Sequence, residues 1–119
     1  MRDRKGWKFE AWQYWILFVL SQAHHGRLSL TELRPLVFER MKPYLTERDY
    51  QPTKESKGQP RWQTALRGAI YWNEKVSLKA RKFIVHLPEI EAYEITPEGR
   101  AHLETYKEPP SNDETEVYI

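Results

Sequence analysis

The sequence contains no cysteine. Disulfides, thiolate zinc sites and a cysteine nucleophile are therefore excluded. The same absence fits a reducing compartment, so the expected location is the cytoplasm. Only five glycines occur, and they are scattered, so no glycine-rich loop exists to cradle a phosphate. Long apolar runs are missing too. The longest, residues 14–20, falls far short of the ~20 residues that a membrane span requires. Arg2, Arg4 and Lys5 ahead of it give the outline of a signal peptide. Asp3, Glu10 and Gln13 interrupt that outline, so the run reads as a buried core helix and no membrane partner is expected.

What is present is aromatic and charged. The 119 residues suffice for one domain. They include five Trp, seven Tyr and four Phe. The net charge of +2 is unevenly divided. Residues 108–119 carry four acidic side chains and no Lys or Arg, which leaves a net +6 on residues 1–107. The sequence therefore predicts a domain over 1–107 and an acidic, disordered tail over 108–119. A basic body suits a polyanionic partner, although a solvated surface explains a moderate charge equally simply.

Periodicity divides the body into elements. Over residues 9–23, Trp12, Trp15, Ile16, Val19 and Leu20 recur at helical spacing. Tyr14, Leu17 and Phe18 add apolar groups on other faces, so this helix is either central or part of an interface between chains. His24-His25-Gly26 ends it, with Gly26 as a left-handed cap. Ser29-Leu30-Thr31-Glu32 is a capping box that opens a second helix, with Leu30, Leu33, Val37 and Met41 as its stripe. Pro43 stops that helix, and Glu47 suits a short turn beginning at Thr46. Residues 50–60 read as a loop. A third helix begins at Pro60 and extends to about residue 76, burying Trp62, Ala65, Leu66, Ala69 and Ile70, with Trp72 or Asn73 and Val76 continuing the stripe. Residues 83–87 and 92–96 alternate like two strands joined through Pro88-Glu89. Thr96-Pro97 then caps and starts a final helix.

Three helices, a hairpin and a closing helix give a mostly helical α+β fold that resembles the winged helix-turn-helix. The phrase Tyr93-Glu94-Ile95-Thr96-Pro97-Glu98-Gly99-Arg100 is similar to the strand-to-helix junction of winged-helix proteins. Arg61-Trp62 with Ala65, Leu66 and Ala69, together with Leu45-Thr46-Glu47-Arg48, resembles the N-terminal domain of Mrr-type restriction proteins. The likeness covers roughly residues 10–104. Two features depart from it. Residues 76–82 lack the glycine usual before the first wing strand, and the nuclease domain attached in the larger family is not present here.

The resemblance implies double-stranded DNA as partner, with helix 60–76 entering the major groove, in transcriptional regulation or in a restriction or defence system. On that helix Arg67 suits a two-pronged bond to guanine, and Gln63 has the amide geometry that suits adenine. Thr64 and Tyr71 are placed to reach phosphate or a thymine methyl. Lys57 and Arg61 lie near the helix start, where phosphate is favoured. Lys79, Arg81 and Lys82 form a basic cluster at the base of the wing, suited to backbone neutralisation without sequence reading. Each has a plainer alternative: Arg67 paired with Glu74 or Glu32, and the cluster as a solvated edge. Glu89, Glu91 and Glu94 make the wing acidic, so its tip is expected to point away from DNA.

Catalysis and cofactors are not expected. Asp49 with Glu55-Ser56-Lys57 superficially matches an acidic-x-Lys nuclease pattern, but a Pro/Gly loop does not hold carboxylates rigidly around a metal. His24 and His25 are adjacent and cannot share a helix face, while His86 and His102 are distant, so no metal site is assigned. The aromatic first helix, with Trp7, Phe9, Trp12, Tyr14 and Trp15, supports two further expectations: a homodimer through that helix, or a protein-interaction module built on the same scaffold.

Overall fold

Helix α1 (Arg4–Gln22) is the element around which the chain packs. In the computed structural model, residues 4–52 and 57–110 are described, with side chains from Lys8 onward in this helix. Trp12, Ile16, Leu17 and Leu20 are at most 1% exposed. Ala11, Tyr14 and Val19 are buried as well, and Trp15 and Phe18 half-buried. A helix apolar on most sides has nowhere stable to lie except the centre. It touches α2, α3, α4 and the sheet. Its described aromatics pack into the chain's own core, Trp12 and Tyr14 buried and Phe9, Trp15 and Phe18 half-buried. Trp7's side chain lies outside the described residues.

The helix ends as its glycine suggests. His25 and Gly26 take φ of 58° and 66°. A Cβ on Gly26 would lie 2.7 Å from the Arg100 guanidinium and 2.8 Å from Ile95, so both conformation and space select glycine. The chain then forms a strand that periodicity does not reveal, β1 (Arg27–Ser29). Three residues are too few to show alternation.

Helix α2 (Leu30–Met41) opens with the expected capping box: the Glu32 N–H donates to Ser29 Oγ at 3.1 Å, and the Ser29 N–H donates to Glu32 Oε1 at 3.1 Å. The Ser29 N–H, and then the Ser29 hydroxyl at 2.9 Å, donate to the Glu32 carboxylate and hold it below its ordinary pKa. Leu33, Val37 and Met41 are buried, while Leu36 is exposed. A short turn follows at Glu47–Tyr50, where the Thr46 N–H donates to Asp49 Oδ2 at 2.7 Å. Lys8 reaches the same oxygen at 2.8 Å and pins this turn to α1.

Helix α3 (Arg61–Arg67) starts one residue later than expected, with Pro60 at the cap. It continues as a π turn over Gly68–Trp72, in which the Asn73 N–H bonds back to the Gly68 carbonyl. The helix therefore stops at Trp72, not near residue 76. Asn73 Oδ1 accepts from the Lys75 and Val76 N–H groups at 3.0 and 2.9 Å, which diverts the chain into turns. Ser77 and Leu78 bury under this connection. The glycine missing before the hairpin is replaced by Lys82, which takes φ of 63°.

Strands β2 (Ile84–Leu87) and β3 (Ala92–Ile95) form the expected hairpin. The sheet is antiparallel in order β1-β3-β2. Glu94 is not at the hairpin tip: it stands opposite Arg27 and pairs with it at 2.7 Å. Helix α4 (Pro97–Glu104) closes the molecule, with Thr96 Oγ1 accepting from the Gly99 N–H at 3.0 Å and donating to the Lys82 carbonyl at 2.8 Å. Beyond it, the Pro110 carbonyl accepts from the Tyr44 hydroxyl, so the start of the acidic segment lies against the body. Residues 111–119 lie outside the described residues.

Gly99 packs against the residue just before β2, where an added Cβ would fall on the Phe83 carbonyl oxygen. Backbone cannot step aside as a flexible side chain can. Gly99→Ala is expected to destabilise the fold by about 3 kcal/mol or more, read as a lowered urea midpoint.

Candidate nucleic-acid interface

The faces of α3 follow from its rotation of about 100° per residue. Leu66, Ala69 and Ile70 are fully buried. Trp62 lies on that side as well, packed against Phe38 at 4.5 Å and stacked 6.3 Å from Trp12. Thr64 is then centred on the opposite face, with Arg61, Arg67 and Gly68 around it. All four are half-buried.

The π turn shifts the faces of the residues beyond it. Such a turn takes more residues per revolution than an α-helix, so residues past Gly68 lag in rotation. Tyr71, expected on the outer face, turns inward and lies 6.3 Å from Tyr93 with the rings only 10° from parallel. Trp72 or Asn73 was expected in the buried stripe; both are exposed, Trp72 by 54%. Val76, also expected there, is exposed. The Arg67 guanidinium sits 5.8 Å from the Trp72 ring centroid. It therefore pairs with neither Glu74 nor Glu32. The outer face is lined by Arg61, Thr64, Arg67, Gly68 and Trp72, and Gln63 lies at its edge.

The nine residues singled out for DNA contact are not equally available. Lys57, Lys79, Arg81 and Lys82 are exposed. Arg61 is half-buried, and its Nε is enclosed without a hydrogen-bond partner. Arg81, although exposed, also has partners within the chain. Its Nη1 donates to Gln13 Oε1 at 3.1 Å, and its guanidinium lies 4.6 Å from the Phe83 ring centroid. Gln13 in turn donates to the Val76 carbonyl at 2.7 Å. Arg81 thus braces the connection before the hairpin against α1.

Charge is concentrated on this part of the chain. Residues 57–82 carry seven Lys and Arg against the single Glu74. That stretch holds the whole +6 of the body; the rest of residues 1–107 is neutral. Among the described residues, none of Lys57, Arg67, Lys75, Lys79 or Lys82 is ion-paired. Lys8, Arg27 and Lys42 elsewhere each hold a carboxylate. Lys75, Gly68 and Trp72 were not expected at this surface. The charge count of 57–82 was a readable signal for Lys75; the π turn that exposes Trp72 has none. The hairpin turn keeps the expected acidity, with Glu89 and Glu91 exposed and Glu91 3.9 Å from His86.

The acidic-x-Lys pattern lies only partly within the described residues. Asp49 is occupied by Lys8 and Thr46; burial raises its pKa, and those hydrogen bonds outweigh burial and hold it below the ordinary value. Glu55 and Ser56 lie outside the described residues. Among the described residues, no three His, Asp or Glu gather as a metal site would need, and no helix is long and apolar enough to cross a membrane.

Behind the braced connection lies a cleft of about 400 Å³ between α1, α4 and residues 76–81. Burial and the bonded Glu10 carboxylate push the Tyr106 hydroxyl up to about 12. Burial, and then Arg81, hold His102 below its ordinary 6.5, and its ring stacks 4.5 Å from Phe83. No protein family, curated protein or solved structure matches the chain.

The lowered His102 has a definite consequence for stability. The unfolded chain takes up its proton as pH falls through about 6.5, before the folded chain does. Stability from this group is therefore present above pH 6.5 and declines as pH falls toward the folded value. Chemical denaturation between pH 7.5 and 5 is expected to show that decline, and His102→Gln is expected to flatten it.

Proposed function

We propose that the chain is a non-enzymatic, double-stranded DNA-binding protein of winged helix-turn-helix type. Helix α3 is its recognition helix and the β2–β3 hairpin its wing. The order α1-β1-α2-α3-β2-β3, with β1 completing the sheet beside the hairpin, supports the winged-helix reading. The segments that resemble Mrr-type N-terminal domains include α3 and the turn before its loop, which fits a role in transcriptional regulation or in a restriction or defence system.

The observation that carries the reading is the concentration of unpaired cations. The net +6 of the body falls within residues 57–82, and among the described residues none of its seven cations is paired with a carboxylate. A surface of this kind gains binding energy by displacing counterions from phosphate. Lys57, Lys75, Lys79 and Lys82 supply sequence-independent attraction. Arg67 and Thr64 face outward from α3 and supply base contacts, with Gln63 at the edge. The acidic turn at Glu89 and Glu91 is repelled by phosphate, so α3 leads and the wing tip stays clear.

Fluorescence anisotropy with a labelled duplex across a salt series tests this. Wild-type affinity is expected to fall steeply with salt. The double substitution of Lys79 and Lys82 by Ala should make the log–log slope shallower by about 2. Arg67→Ala should weaken binding about 5- to 100-fold at fixed salt. Absence of duplex binding at about 50 mM salt overturns the reading.

A further inference from the structure

Gly68 sits on the outer face of α3, between Thr64 and Trp72 and beside Arg67. Its φ and ψ are −60° and −41°, ordinary right-handed helical values open to any residue. Among the described residues, a Cβ placed there meets nothing within 4 Å. Neither the backbone nor the packing of the described residues selects glycine. Glycine also weakens a helix relative to alanine. The contrast with Gly26 and Gly99 is direct, since in both of those the fold itself fills the space.

We infer that Gly68 is the point of closest approach to bound DNA, where a nucleic-acid strand lies against helix backbone without an intervening side chain. The inference rests on the DNA-binding reading and names the contact that sets its geometry. A side-chain-free notch lets the helix seat more deeply in the groove than a continuous row of side chains allows. The neighbours on either side fit that role. Thr64, one turn earlier, offers a hydroxyl and a methyl to the same strand or base edge. Arg67 is held by the exposed Trp72 ring, which places its planar fork beside the notch. The π turn begins at Gly68 itself, and it is this turn that presents Trp72 at the far rim of the notch.

The test exploits two effects of opposite sign. Gly68→Ala is expected to raise the melting temperature by about 2–6 °C, because alanine favours the helix and meets no obstacle. The same variant is expected to weaken duplex binding about tenfold by anisotropy, and Gly68→Leu to weaken it further. Gly68→Ala that binds as tightly as wild type overturns the inference while leaving DNA binding intact. A lowered melting temperature overturns it as well, since the glycine would then serve the fold. Wild-type protein that binds no duplex removes the DNA-binding reading and this inference together.

Discussion

Burial of α1 is the constraint on which the other elements depend. Trp12, Ile16, Leu17 and Leu20 together present apolar surface around most of the helix, and water is excluded from all of them. Covering such a helix takes elements on several sides, and α2, α3, α4 and β3 provide them. Each covering element keeps one face for α1 and turns the other to solvent. The outer face of α3 exists because Leu66, Ala69 and Ile70 are committed to the core. The aromatic richness of the first helix thus organises the interior, and α3 is left as the element with a free, positively charged surface.

Electrostatics divides the molecule along similar lines. Lys8–Asp49 and Arg27–Glu94 join elements far apart in sequence, while Lys42–Glu39 lies within one turn of chain. Arg40 lies over the rings of Trp15 and Phe18. Arg81 has a comparable bracing role, held by Gln13 and Phe83. The lysines of residues 57–82 do no such work. Exposed pairs contribute little to stability, so leaving these cations unpaired carries small cost to the fold. It leaves their charge available to an external polyanion.

Much of this architecture was legible in the sequence, and the misreadings share physical causes. Signals that act within a few residues were clear: the Ser29/Glu32 box, the Thr96-Pro97 start of α4, the Gly26 stop and the hairpin alternation. The α+β class followed from them. Features that depend on tertiary pairing were not legible. Strand β1 has three residues and exists because Glu94, Tyr93 and Ala92 pair with it. The π turn leaves no periodic trace, so the faces of Tyr71 and Trp72 were exchanged. Lys82 takes a left-handed conformation before the hairpin, in a stretch without glycine. At the site, the basic residues were legible as a cluster. The bond from Arg81 to Gln13 was not, because the two lie 68 residues apart. The openness at Gly68 needed coordinates, since a helical glycine looks the same in sequence whether its space is filled or empty.

The central claim is that the outer face of α3 and the cations of residues 57–82 form one DNA-binding surface. Backbone amide chemical shifts followed by NMR during titration with a short duplex test it most directly. Shifts are expected to cluster at residues 61–72 and 79–82, with residues 88–91 of the hairpin turn unmoved. Shifts centred instead on the α1–α2 groove around Phe18, Leu36 and Arg40, or on the hairpin turn, would contradict it.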